Sequence, residues 1–163
     1  MELEHYEINC ETLLIVPIGK RSSKVYETDL ECIVKESPLT IIKNSCLYFG
    51  SSYEGRKEGT KSLLGVEMKV PIVIEDSRSI IFFPTSSCIN QSSIWISYQN
   101  LLKYSKFNEF STVLYFRENK SIKVDTRYSL VDNQVIRCIK LDNLLMKRKN
   151  FLKNECSVID LQE

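Results

Sequence analysis

Glycine and proline are scarce, with five and four in 163 residues. That scarcity excludes collagen-like and Pro/Gly-rich disordered architectures, and it leaves no obvious linker between domains. Histidine occurs once, at His5. Catalysis of the Cys–His or Ser–His–Asp kind could therefore rest only on that residue, which lies near the N-terminus. None of the six cysteines forms a C-x-x-C pair, so spacing gives no support to a zinc site. The apolar run Leu13–Ile18 is far shorter than the roughly 20 residues needed to span a bilayer. Neither sign of charge dominates: 22 Lys and Arg stand against 21 Asp and Glu, a net charge of +1. Taken alone, near-neutrality argues against a nucleic-acid partner, which ordinarily requires a basic excess.

What is present describes one globular unit. The apolar fraction is 43% and the charged fraction 26%, ordinary for a soluble domain. One domain over 1–163 is expected, with 154–163 a short tail. The neutral sum conceals an asymmetry: residues 1–36 carry 4 basic and 8 acidic side chains, residues 37–78 carry 6 and 5, and residues 79–163 carry 12 and 8. One side of the molecule can thus be basic. The acidic start Met1-Glu2-Leu3-Glu4 is unlike a secretory signal. A cytoplasmic protein with free thiols, most of them filling the core, is the reading. No cofactor, metal or membrane partner is expected.

Hydrophobic patterning predicts an α+β fold of mainly short antiparallel strands, with one helix near 38–49 and a long C-terminal helix near 130–150. Tyr6-Glu7-Ile8, Thr12–Ile18, Val25-Tyr26 and Leu30–Val34 read as strands, with a turn at Ser22-Ser23. Ser37-Pro38 supplies an N-cap and a first-turn proline. Leu39, Ile42, Cys46 and Phe49 then form one stripe, which Gly50 ends. Val70–Ile74, Ile80–Phe83 and Ile94–Ile96 are further strands, and 99–104 reads as a short helix. Thr112–Phe116 and Ser121–Val124 flank a hairpin turn. Val131, Val135, Ile139, Leu145 and Met146 approximate the buried stripe of the last helix, with Lys147-Arg148-Lys149 and Lys153 at its negative end.

The segment Gly50–Lys61 holds three of the five glycines among polar and charged residues. Gly50-x-x-x-x-Gly55-Arg56-Lys57 falls short of a phosphate-binding loop. Arg56 stands where the lysine belongs, and Lys57 where the magnesium-binding hydroxyl belongs. What remains is a flexible or tightly turned loop carrying Arg56, Lys57 and Lys61. Ser51, Ser52 and Thr60 offer hydroxyls for phosphates, and glycine such as Gly55 permits close backbone approach. The competing reading is a solvated loop in which Arg56 and Lys57 pair with Glu54 and Glu58.

Cys46-Leu47-Tyr48-Phe49-Gly50-Ser51-Ser52-Tyr53-Glu54-Gly55-Arg56-Lys57-Glu58-Gly59-Thr60 closely resembles the signature of the ComK family of bacterial competence transcription factors. The likeness continues in order through Pro71–Glu75, Ile81-Phe82-Phe83-Pro84-Thr85, Trp95-Ile96-Ser97 and Asn133–Arg137. The resemblance implies a DNA-binding transcriptional activator that recognises paired AT-rich boxes upstream of DNA-uptake genes, largely through the minor groove. It implies dimers that assemble into tetramers, contact with RNA polymerase, and delivery to a Clp-type protease by an adaptor of the MecA type. The DNA contacts expected from the chemistry of the glycine segment are Arg56 and Lys57, supported by Ser51, Ser52, Gly55 and Lys61. Two features depart from the family: Glu54 and Glu58 place acids in the glycine segment, and the adaptor-binding C-terminal extension has no clear counterpart. The alternatives are a shortened paralogue that modulates a longer activator, and a protein-binding module with no DNA role. An enzyme is the least favoured class.

Overall fold

The computed structural model describes residues 1–86 and 93–160, the last eight of these as backbone alone. The elements in chain order are β1 (Glu2–Leu3), β2 (Thr12–Ile18), β3 (Ser22–Glu27), β4 (Glu31–Val34), α1 (Pro38–Tyr48), α2 (Tyr53–Leu64), β5 (Ile72–Glu75), β6 (Ile80–Pro84), β7 (Trp95–Ser97), β8 (Lys103–Lys106), β9 (Thr112–Tyr115), β10 (Ser121–Val124) and α3 (Tyr128–Asp160). Seven strands form one sheet in the order β1-β4-β3-β2-β7-β6-β5, and β10-β9-β8 form a second. Every pairing is antiparallel except that of the two-residue β1 with β4. The α+β expectation holds.

The large sheet is buried on both faces, which is why its central strands read as unbroken apolar runs. Along β5, Ile72 and Ile74 point to one cluster and Val73 to the other; along β6, Ile80 and Phe82 alternate with Ile81 and Phe83. Trp95 and Ile96 divide the same way. One face is covered by α1, through Ile41, Ile42 and Cys46. The other is covered by α3, through Val131, Cys138 and Leu141, and by the small sheet, through Leu114, Phe116 and Val124. Helix α2 touches α1, α3 and the edge strand β5, and so closes one end of the sandwich.

Polar groups lock these layers together. Gln134 of α3 is buried and donates to the carbonyls of Lys69 and Pro84, both at 2.8 Å. Arg137 donates to the carbonyl of Met68 at 2.7 Å. Arg137 is thus held by carbonyls rather than by an ion pair. Asn100 donates to the carbonyls of Cys10 and Thr12, at 2.9 and 3.0 Å. Buried backbone acceptors need such partners, and losing one costs about 1–3 kcal/mol.

Several expectations change. The glycine-rich segment 50–61 is not a loop: from Tyr53 onward it is the helix α2. Capping outweighs the glycines there. Ser52 caps the first turn, accepting from the Gly55 N–H at 3.1 Å, and Gly65 ends the helix in the left-handed conformation at φ +66°. Tyr6-Glu7-Ile8 joins no sheet. Tyr6 and Ile8 are buried, but the Ile8 N–H is satisfied by Ser45 Oγ at 3.0 Å rather than by a strand. The turn expected at Ser22-Ser23 falls at 19–21, and those serines begin β3. The helix expected at 99–104 is a turn followed by β8, because Tyr104 faces the core in register with Leu114. Helix α3 runs to Asp160, so Lys147–Lys149 are not in its last turn and most of the expected tail is helical. Residues 161–163 lie outside the described residues. Of the expected stripe of α3, Val131 is buried and Val135 and Leu145 pack on the core, whereas Ile139 and Met146 are exposed, and Cys138 and Leu141 are buried in their place. Phe49 is likewise partly exposed, and α1 buries Ile41 and Ser45 instead. Cys32, Cys46 and Cys138 are buried free thiols, whereas Cys10 is exposed.

His5 pins the N-terminal segment to the start of α1. Its Nδ1 lies 2.8 Å from Oε1 of the buried Glu36, which also accepts from Asn44 at 3.2 Å. Hydrogen bonding to Glu36, then attraction from Glu36, Glu4 and Glu7, holds the His5 pKa above its ordinary value. A raised pKa stabilises the fold fully below the ordinary histidine range, and that contribution is lost as pH rises through the raised value. His5→Gln should therefore lower the melting temperature most below the ordinary histidine range, with the difference from wild type closing as pH rises through the raised pKa. Helix α2 makes a separate prediction. A Cβ added at Gly59 meets nothing within 4 Å, so Gly59→Ala should stabilise by about 0.8–1 kcal/mol in thermal unfolding. No gain would mean that 53–64 is not helical in solution.

Candidate nucleic-acid interface

The turn joining α1 to α2 is built from paired caps. Phe49 caps α1, Gly50 adopts φ +81°, the Gly50 N–H donates to Leu47 O at 3.0 Å and the Ser51 N–H to Cys46 O at 2.9 Å. That is the double closure of a Schellman motif, and its left-handed position explains Gly50. Ser51 Oγ donates to the same Cys46 carbonyl at 3.1 Å. Ser51 and Ser52 thus both serve the backbone of the turn. Gly55 stands where the capping hydroxyl needs room, since a Cβ there would lie 2.9 Å from Ser52 Oγ.

The three expected cations do not converge on one surface. Arg56 and Lys57 are successive residues, about 100° apart around the helix. Between them lies the buried side of α2, with Tyr53 and Thr60. Arg56 is half-buried on the Cys46 side, with its Nε enclosed and without a hydrogen-bond partner among the described residues. Burial pushes the Cys46 thiol up to about 11, and the Arg56 charge opposes that rise. Lys57 lies on the other flank. Its Nζ is 5.8 Å from the centre of the Tyr53 ring, and Lys43 of α1 approaches the same ring at 5.4 Å. Lys61 lies 3.7 Å from Glu58 and 3.6 Å from Glu67, so its charge is largely balanced. The outward face of α2 presents Glu54, Gly55, Glu58, Gly59 and Ser62.

The resulting site is a helix hairpin with two amines, Lys43 and Lys57, gathered on one aromatic ring. Beside it lie the exposed Leu47 and Tyr48, the latter stacked edge-on against Phe49 at 5.1 Å. Lys43 is the residue that sequence reading missed. It lies ten positions before Tyr53, and only the reversal of the chain at Gly50 brings the two together. Such a pair can hold phosphate oxygens. Among the described residues no group of three His, Cys, Asp or Glu side chains is placed to hold a metal ion. No described helix is long and apolar enough to cross a membrane.

The position of Arg56 makes a testable distinction. Its stem packs in the helix hairpin, so Arg56→Ala should cost about 1 kcal/mol of stability, while Arg56→Met, which keeps the stem, should recover most of it. Equal melting temperatures for wild type and Arg56→Ala would show that the side chain is free for a ligand.

Two comparisons bear on identity. The ComK protein family matches residues 3–150. A competence transcription factor of Bacillus subtilis (strain 168) is 33% identical over 161 residues, spanning 92% of this chain and 84% of that protein. No solved structure matches. With both sheets, α1, α2 and the first two-thirds of α3 inside the matched span, the chain belongs to the ComK family.

Proposed function

We propose that this chain is a DNA-binding transcriptional activator of competence genes. The observation that carries the reading is the family match over residues 3–150, joined to the likeness to a protein named as a competence transcription factor. The helix hairpin supplies the contact, with Lys43 and Lys57 on the Tyr53 ring as its principal cations and Arg56 on the opposite flank. AT-rich duplex is the favoured target. Its minor groove is narrow and strongly negative, and it attracts a few placed cations without requiring a base-specific code. A protomer of net charge +1 has little long-range attraction for DNA, so binding of two or more copies to paired boxes multiplies a weak contact.

A gel-shift titration tests this. Wild type should bind a duplex with paired A·T-rich boxes more tightly than a G·C-rich duplex of equal length. The Lys43→Gln/Lys57→Gln variant should weaken binding to both and flatten the dependence on salt, each lost phosphate contact lowering the slope by about 0.9. Equal and feeble binding of wild type to the two duplexes would overturn the reading.

A further inference from the structure

The small sheet turns one face to solvent. Register places Lys103, Tyr115 and Ser121 in one outward row and Ser105, Val113 and Lys123 in the next. The other face, with Tyr104, Leu114 and Ile122, packs on the core. Lys103 Nζ lies 4.8 Å from the centre of the Tyr115 ring, and Lys123 Nζ lies 4.7 Å from that of Phe107. Arg127, in the connection from β10 to α3, sits 5.1 Å over Phe110 of the loop between β8 and β9. Phe107 and Phe110 are 59% and 60% exposed, large values for aromatic rings. Among the described residues, none of these three cations has a carboxylate within 4.0 Å.

The manner of holding matters. A ring face positions an ammonium without neutralising it, whereas a carboxylate cancels its charge. Lys61 of α2 is held in the second way, and Lys103 and Lys123 in the first. Residues 101–128 contain six basic side chains (Lys103, Lys106, Arg117, Lys120, Lys123, Arg127) against three acidic ones (Glu109, Glu118, Asp125). Of the six, Lys120 is engaged, donating to the Glu27 carbonyl at 2.7 Å. By register the outward positions of the three strands carry Lys103 and Lys123 and no carboxylate, so the face is basic within a chain that is neutral overall. Strands lie about 4.8 Å apart, so lysines on the two outer strands, offset by two residues, stand on the order of 12 Å from each other.

We propose that the outer face of the β8–β9–β10 sheet is a second contact for duplex DNA, with Lys103 and Lys123 on phosphates and Arg127 extending the contact at the hairpin tip. The proposal rests on the DNA-binding reading and adds a surface that the glycine segment does not contain. Its role is sequence-independent: it sets affinity and salt dependence, while the helix hairpin engages the A·T-rich groove.

The test uses the full chain and fluorescence anisotropy on A·T-boxed and G·C-rich duplexes across a salt series. Lys103→Gln/Lys123→Gln should leave the melting temperature nearly unchanged. It should weaken both duplexes by the same factor, roughly tenfold per lost contact near 0.1 M salt, and reduce the salt slope by about 2. Lys20→Gln/Lys140→Gln, which removes the same charge from other exposed positions, should change the slope little. An unchanged slope in the sheet variant, with binding lost in Lys43→Gln/Lys57→Gln, would overturn this proposal alone. Equal losses in the sheet variant and the control pair would reduce the effect to net charge and also overturn it. Retained DNA affinity with lost promoter activation would assign the face to a protein partner instead. Failure of wild type to bind any duplex would remove this proposal and the functional reading together.

Discussion

The constraint on which the structure depends is a seven-stranded sheet that is apolar on both faces. Ile80-Ile81-Phe82-Phe83 states it most plainly: four successive buried side chains, alternately supplied to two separate clusters. Such a strand cannot be stable with one face wet, since each exposed residue of this size would forgo about 1.5–3 kcal/mol of burial. Both faces must be covered, and the chain covers them with different material. A short helix suffices on one side. On the other, α3 and a second sheet share the task. Everything outward-facing on those covering elements is then free to carry charge.

This division places the two candidate contact surfaces. Helices α1 and α2 close the β5 end of the sandwich, and the turn between them is held by two caps and a left-handed glycine. The small sheet lies over the opposite cluster, with its lysines outward. Neither surface is made by the core, yet each is held rigid by it. Gln134 and Arg137 are the reverse case: they lie in a stretch of family likeness, and they hold the carbonyls before β5 and at the end of β6.

Charge in this protein is best understood by what holds each cation. Lys61 lies between Glu58 and Glu67, and Lys149 lies 2.8 Å from Asp76. Lys43, Lys57, Lys103 and Lys123 approach aromatic rings instead. The second arrangement leaves a directed positive charge for a polyanion, and it occurs on both candidate surfaces. Near-neutrality thus limits long-range attraction without limiting what a placed side chain does on contact.

Much of this was legible in the residues. Ser37-Pro38 marks the start of α1, and the apolar runs mark β2, β5, β6 and β7. The hairpin of β9 and β10 and the long last helix are equally plain, because local caps and periodicity determine them. The family signature was legible too, being a contiguous run. What escaped was whatever depended on neighbours distant in the chain. Gly55 and Gly59 suggested a loop, but Ser52, Gly65 and the burial of Tyr53 make a helix. Lys-Tyr-Ser-Lys at 103–106 carries almost no strand signal; pairing with β9 makes it one. Lys43 belongs to no motif, and the turn at Gly50 carries it to Tyr53. The sequence by itself determined which segments are apolar, where α1 and the long last helix begin and which family this is, since those properties are local or additive. Only the tertiary structure decided which cations are neutralised and which stand free, because that depends on whether a carboxylate or a ring arrives from elsewhere in the chain.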